Sequence, residues 1–335
     1  MKLVTFGKGK EELGVLEGGF VYRLTDLHPD LPSGIMNMLD HWDDHFKKVQ
    51  NALAALNSGK AEGIPVSDAE LLSPVPHPRS CRDGYAFRQH VETARRNRGV
   101  PMIPEFDQYP VFYFTNHQAI HGPGVIECMP DHFRQLDFEL EVAIVIGKKG
   151  RNIPAAEADQ YIAGYTIMND LSARQLQMEE MLLNLGPAKG KDFSTVLGPW
   201  LVTPDELEPF LTPTKKGHTG KQYDLKMSCE VNGVQVSKGN LNQMDWTFAE
   251  LIERASYGVD LFPGDVIGSG TVGTGCFLEL NGTAKLKNPD HVPQWLKEGD
   301  VISLSIDQLG TLTNVLKKEH TSWSILEKKK NLPGK

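Results

Sequence analysis

Apolar and polar positions change period several times along the chain, and each change predicts an element. Residues 4–6, 13–16 and 20–24 are short apolar runs separated by glycines and charged turns, the pattern of three successive strands. From residue 35 to 56 the period lengthens. Ile35, Leu39, Trp42, Phe46, Val49, Leu53 and Leu56 recur at three- and four-residue steps, which predicts one amphipathic helix. The segment Leu71-Leu72-Ser73-Pro74-Val75-Pro76-His77-Pro78 cannot continue a helix, because proline lacks the amide donor and clashes with the preceding turn. A domain boundary is therefore expected near residue 75. It separates a small N-terminal β-rich domain with a helix (1–75) from a larger domain (76–335).

The larger part reads as β-rich. Residues 138–147 form one expected strand. Glu139, Glu141, Ala143 and Val145 lie on one face, and Phe138, Leu140, Val142, Ile144 and Ile146 on the other. Residues 163–170 form a buried-looking strand. Residues 224–236 alternate around Asn232-Gly233, a strong hairpin turn signal. Residues 301–306 alternate again, 248–257 read as a helix, and 276–280 read as a strand. No regular alternation of strand and helix exists, so a doubly wound parallel sheet is not expected. No fixed-period repeat is present, and the lysine-rich tail near Lys328 is expected to fray.

Composition narrows the class. The chain has 335 residues, 40% hydrophobic and 23% charged, enough for a sizeable core. A net charge of -8 and a pI near 5.8 argue against general nucleic-acid binding, which needs a basic field. Cys81, Cys128, Cys229 and Cys276 lie far apart and make no CxxC pair, so free thiols in a reducing compartment are expected. The N-terminus has no apolar signal core, and no apolar stretch approaches the roughly 20 residues that span a bilayer. The cytosol is the expected compartment.

Glu139 and Glu141 are two carboxylates side by side on an apolar strand. Burying them is costly unless a cation compensates, and a hard divalent ion would do so through oxygen ligands. The alternative is a solvated face, but Ala143 and Val145 on the same face point to burial. Asp170 ends the 163–170 strand and is placed to cap the following helix. Arg174 and Gln177 follow at i+4 and i+7, so an acid, a guanidinium and an amide would share one helical stripe. His90 is the side chain suited to take a proton near neutral pH. Lys191 follows a Gly/Pro-containing loop, and Thr271 in a glycine-rich segment could donate to a carboxylate. Gly268-x-Gly270-x-x-Gly273 formally matches a dinucleotide fingerprint. A helix must follow that motif within a βαβ unit, and neither condition is expected here.

In this order the segments resemble the fumarylacetoacetate hydrolase family over roughly residues 75–310. The resemblance is carried by Asp83, Tyr85 and Arg88-Gln89-His90; Leu136-Asp137-Phe138-Glu139-Leu140-Glu141; Met168-Asn169-Asp170-Leu171-Ser172-Ala173-Arg174 with Gln177; Gly190-Lys191-Asp192-Phe193 with Pro199-Trp200; and Gly264-Asp265 with Ser269-Gly270-Thr271. It implies an α+β, mainly β fold: a small N-terminal β domain and a C-terminal mixed β-sandwich roll, usually homodimeric. It implies a divalent cation, Mg²⁺ or Ca²⁺ with Mn²⁺ as a further option, on Asp83, Glu139, Glu141 and Asp170. It implies His90 as base, Glu279 as its orienter, and Arg174, Gln177 and Lys191 as oxyanion donors. Tyr85, Arg98, Tyr113 and Thr271 match further substrate contacts. The reaction implied is hydrolysis of a carbon–carbon bond in an anionic diketo acid, with fumarylacetoacetate the expected substrate. Acylpyruvate hydrolysis, oxaloacetate decarboxylation or an isomerisation on the same scaffold are the alternatives, and a silent binding protein a remote one. Many short members of the family lack the first aspartate and pair their histidine with a glutamate three residues later. Here Asp83 is present and Thr93 occupies that later position, which leans toward the fumarylacetoacetase type.

Overall fold

The computed structural model describes residues 1–54 and 62–330. The fold is α+β and mainly β. The elements used below are, in chain order, β1 (Lys2–Phe6), β2 (Glu12–Glu17), β3 (Phe20–Arg23), α1 (Ile35–Asp40), α2 (Trp42–Ala54) and β4 (Ile64–Pro65). There follow β5 (Cys81–Gly84), α3 (Arg88–Asn97), β6 (Phe112–Thr115), β7 (Ile120–His121) and β8 (Gly124–Cys128). The central part holds β9 (Leu136–Asp137), β10 (Leu140–Ile146), β11 (Ile162–Asp170), α4 (Arg174–Met181) and β12 (Thr195–Val202). The last part holds β13 (Lys226–Val231), β14 (Val234–Asn240), α5 (Phe248–Ser256), β15 (Val266–Gly268), α6 (Phe277–Lys287), β16 (Val301–Ile306) and β17 (Gly310–Lys318).

Two mixed sheets carry the architecture. The larger has eleven strands in the order β4-β3-β2-β1-β12-β11-β10-β15-β5-β6, with β7 added on β12. The N-terminal strands thus continue the sheet through the antiparallel pairing of β1 with β12. The smaller sheet has the order β14-β13-β16-β17-β8. Strand β10 is buried on both faces, which is why its sequence is almost continuously apolar. Val142, Ile144 and Ile146 pack with Met227, Ile302 and Leu304 of the smaller sheet. Ala143 and Val145 pack with Leu3, Val15, Met38, Leu39 and Val49 of the N-terminal strands and helices. The face that carries Glu141 is therefore closed over, as Ala143 and Val145 predict.

Several expected elements stand with changed bounds. The helix expected over 35–56 breaks at His41, which has left the helical region, into α1 and α2. Leu56 lies outside the described residues. The strand expected over 138–147 begins only at Leu140, and β9 pairs separately with residues 172–173. Asn232 and Gly233 have φ of 54° and 75° and turn the β13–β14 hairpin, the positive-φ pair that such a turn needs. Ahead of the lysine-rich tail the Asp131 carboxylate accepts the Ile325 and Leu326 amides and the Ser324 hydroxyl, while residues 331–335 lie outside the described residues. Among the described residues, no helix is long and apolar enough to cross a membrane.

Two readings are corrected. Residues 276–280 are not a strand but the start of α6. The Asp137 carboxylate accepts the Phe277 and Leu278 amides at 2.7 and 2.9 Å and starts the helix from a distant part of the chain. A helix therefore does follow the glycine motif, yet those glycines make room for protein. A Cβ on Gly268 would meet Asp83 Oδ1 at 2.5 Å, and one on Gly270, at φ 77°, would meet the Gly84 carbonyl at 2.5 Å. Asp170, in turn, does not cap a helix. It ends β11, paired with Thr195 of β12, and α4 starts at Arg174 with no side-chain cap. Asp170 thus lies off the stripe that Arg174 and Gln177 share.

Candidate metal centre and active site

Neighbouring strands of the large sheet bring four carboxylates together. Asp83 lies on β5 opposite Gly268 of β15, Glu141 is on β10 opposite Met168 of β11, and Asp170 ends β11. Glu139 sits in the short link between β9 and β10. One oxygen from each of Asp83, Glu139, Glu141 and Asp170 lies within 4.8 Å of the others, and all four side chains are buried.

A ring of donors fixes this cage. Lys191 Nζ bonds both Glu139 and Asp170, the latter at 2.8 Å. Arg174 donates through Nη2 to Glu139 at 2.7 Å, through Nε to Asp137 at 2.8 Å, and through Nη1 to Gln177 Oε1 at 2.9 Å. The Tyr113 hydroxyl donates to Asp170, the Gly270 amide to Asp83 at 3.0 Å, and the Thr271 hydroxyl to Glu141 at 3.3 Å. Asp137 is the participant that sequence reasoning passed over. Its signal was the alternation Asp137-x-Glu139-x-Glu141 in the sequence, although the chain leaves strand geometry between β9 and β10.

His90, on the first turn of α3, stands beside the cage. Its Nδ1 lies 2.6 Å from Glu279 Oε2, and the other oxygen of Glu279 accepts the Thr274 amide at 2.9 Å. The Tyr85 ring meets the His90 ring edge-on, with centroids 5.9 Å apart. Beyond Tyr85 opens a cavity of about 230 Å³, walled by Val91, Ile103, Phe106, Tyr109 and Trp246 and reached by Arg95 and Arg98. Arg98 therefore lines this side cavity together with Tyr85, while Tyr113 serves the cage itself.

The cage is electrostatically unbalanced. Burial works to raise Glu139, but the charges of Lys191 and Arg174 overcome it and bring the carboxyl down to about 2. Burial, reinforced by Asp170, pushes Asp83 up to about 8. Burial and the Asp83 charge push Glu141 well above the carboxylate range, and burial raises Asp170. Two bases thus neutralise part of the cluster while Asp83 and Glu141 face each other. Glu141 Oε2 and Asp170 Oδ1 are buried without a hydrogen-bond partner. Orphaned carboxyl oxygens in an all-oxygen donor set fit a hard divalent cation, whose charge reverses the cost of ionising them.

The family model described as fumarylacetoacetate (FAA) hydrolase C-terminal matches residues 80–317. The chain belongs to this family. Oxaloacetate tautomerase Fahd2a, mitochondrial, of Rattus norvegicus is 33% identical over 304 residues, covering 89% of this chain and 84% of the relative. A fumarylacetoacetate hydrolase domain-containing protein 2 homolog of Dictyostelium discoideum is 28% identical and covers 95% and 97%. The solved fumarylacetoacetate hydrolase of Exiguobacterium antarcticum superposes with a TM-score of 0.68 at 26% identity, covering 95% and 100%. Maleylpyruvate hydrolase from Sphingobium sp. SYK-6, solved with manganese(II) and pyruvate, shares the fold at a TM-score of 0.67 and 22% identity, covering 96% and 100%.

Proposed function

We propose that the protein is a divalent-metal-dependent enzyme that moves a proton at the carbon next to the keto group of a small 2-oxo dicarboxylate, with oxaloacetate keto–enol tautomerisation as its reaction. The observation that carries this reading is the His90–Glu279 contact beside the four-carboxylate cage. With Nδ1 held by Glu279, Nε2 is the ring nitrogen left to accept or return a proton. Asp83, Glu139, Glu141 and Asp170 would hold the cation, and when bound it supplies Lewis-acid polarisation of the substrate carbonyl. Lys191 and Arg174 place positive charge where negative charge grows on the enolate oxygen, in a buried setting where such charge acts strongly. The likeness to proteins named oxaloacetate tautomerases adds support for the substrate.

A second reading, hydrolysis of a 1,3-diketo acid such as fumarylacetoacetate, is favoured by the cavity beyond Tyr85. Oxaloacetate leaves that cavity unused, whereas a longer substrate has an arm to place there, its carboxylate toward Arg98. In this reaction His90 takes its proton from water instead of from carbon.

One assay panel tests both. Oxaloacetate enol absorbance, fumarylacetoacetate and fumarylpyruvate are followed with and without Mg²⁺. Mg²⁺-dependent acceleration of oxaloacetate ketonisation supports the first reading. Turnover of fumarylacetoacetate without that acceleration replaces it with the second, and metal-independent turnover of every substrate overturns both.

A further inference from the structure

A second cluster of donors differs in kind from the carboxylate cage. His90, Cys276 and Glu279 each place one ligand atom within 4.8 Å of the other two, and all three side chains are buried. The set mixes a ring nitrogen, a thiol sulfur and a carboxylate oxygen. Sulfur and imidazole favour softer ions such as Zn²⁺, whereas an all-oxygen cage favours Mg²⁺, Mn²⁺ or Ca²⁺. Among the described residues the Cys276 thiol donates to no acceptor, and the Glu279 backbone amide is directed at its sulfur, a contact that favours the thiolate.

The cluster also has its own approach. Thr274, Glu279 and Leu280 line an open cleft of about 860 Å³ between α3 and α6, together with Gln89, Glu92 and Thr283. An ion entering from this cleft meets Glu279 without passing through the cage. Zinc bonds of about 2.0–2.3 Å hold tetrahedral donors roughly 3.5 Å apart, so the 2.6 Å contact between His90 and Glu279 would open by roughly 1 Å.

We infer that His90, Cys276 and Glu279 form a binding site for a soft divalent cation of the Zn²⁺ class, separate from the carboxylate cage, and that its occupation switches the enzyme off. Coordination takes Cys276 as the thiolate, with its proton leaving to bulk water. The ion takes the fourth ligand from solvent. Binding stands on the geometry alone, whereas the loss of turnover rests on His90 being the base of the proposed reaction.

The test uses Co²⁺ and Zn²⁺ on full-length protein held in excess Mg²⁺. Co²⁺ is expected to add near-ultraviolet thiolate-to-metal absorption that saturates at one equivalent and persists as Mg²⁺ is raised. Cys276→Ser is expected to lose that absorption while keeping turnover in Mg²⁺. Zn²⁺ should suppress wild-type turnover, with the variant at least about tenfold less sensitive, a typical effect on a metal site. Cys276→Ala repeats the comparison if the serine variant fails to fold. Absence of thiolate absorption, its displacement by Mg²⁺, or its retention in both variants overturns the site. Thiolate absorption with undiminished turnover keeps the site and overturns His90 as the base.

Discussion

The Asp137 carboxylate accepts the Arg174 Nε proton at 2.8 Å and also the first two amides of α6. One buried acid thus joins the guanidinium that braces Glu139 to the helix that carries Glu279. Metal cage and candidate base are set relative to each other through this residue. Burial alone would disfavour its charge, and the Arg174 guanidinium with the amides of Phe277 and Leu278 works against that cost.

Asp137→Asn is expected to lower both stability and turnover. The amide cannot meet the guanidinium with a full charge, and uncompensated buried charges typically cost about 3–5 kcal/mol when one partner is removed. Thermal denaturation and steady-state assays check this. An unchanged melting temperature would remove Asp137 from the role assigned here.

The distribution of such links explains what was legible in the sequence. The two faces of β10 followed from parity alone, because every second residue of a strand shares a side. The β13–β14 hairpin followed from Asn232-Gly233. Asp170 misled because capping is a local preference, while its actual state is set by pairing with Thr195 on another strand. Helix α6 was missed because its N-terminal amides are satisfied by Asp137, far away in sequence. Asp83 had no local signal at all, since its meaning comes from the neighbouring strands that surround it. The resemblance to the family supplied the grouping that local rules could not.

His90→Ala is expected to reduce turnover by about 10²–10⁴-fold, the usual contribution of a general base. Metal binding should survive, because His90 is no part of the cage. Glu279→Gln should lose part of that factor, because the ring keeps an acceptor but loses the charge that steadies its protonated form. Isothermal titration with Mn²⁺ beside the kinetic assay separates the two effects. Near-normal turnover in His90→Ala would show that the proton is taken elsewhere.

Glu141→Gln is expected to act in opposite directions with and without metal. Glu141 has a buried oxygen with no partner and faces Asp83, and its raised pKa means that the metal-free chain must take up a proton there to fold at neutral pH, a cost that the neutral amide removes. The melting temperature in excess chelator should therefore rise above wild type. The stabilisation that Mg²⁺ gives the wild type by binding the folded state should shrink or vanish. Equal Mg²⁺ shifts in both proteins would exclude Glu141 as a ligand.

His132 should govern part of the acid sensitivity. It is buried, stacks on Phe193 at 4.0 Å between centroids, and accepts the Met129 amide through Nδ1 at 3.2 Å. Burial, with help from the Lys189 charge, lowers its pKa from 6.5 to about 4. The unfolded chain therefore takes up a proton from pH 6.5 downward, while the folded protein does not until about pH 4. Stability is present in full above pH 6.5 and is lost as pH falls to 4, by about 3 kcal/mol at 1.36 kcal/mol per pKa unit. Phe193 lies two residues after Lys191, so the strain falls on the loop that braces the cage. In His132→Gln the native state carries no such penalty. Its denaturation midpoint should lie below wild type at pH 7.5, and the gap should narrow steadily between pH 6.5 and 4. Parallel curves for the two proteins across that window would mean that His132 is already protonated in the folded state.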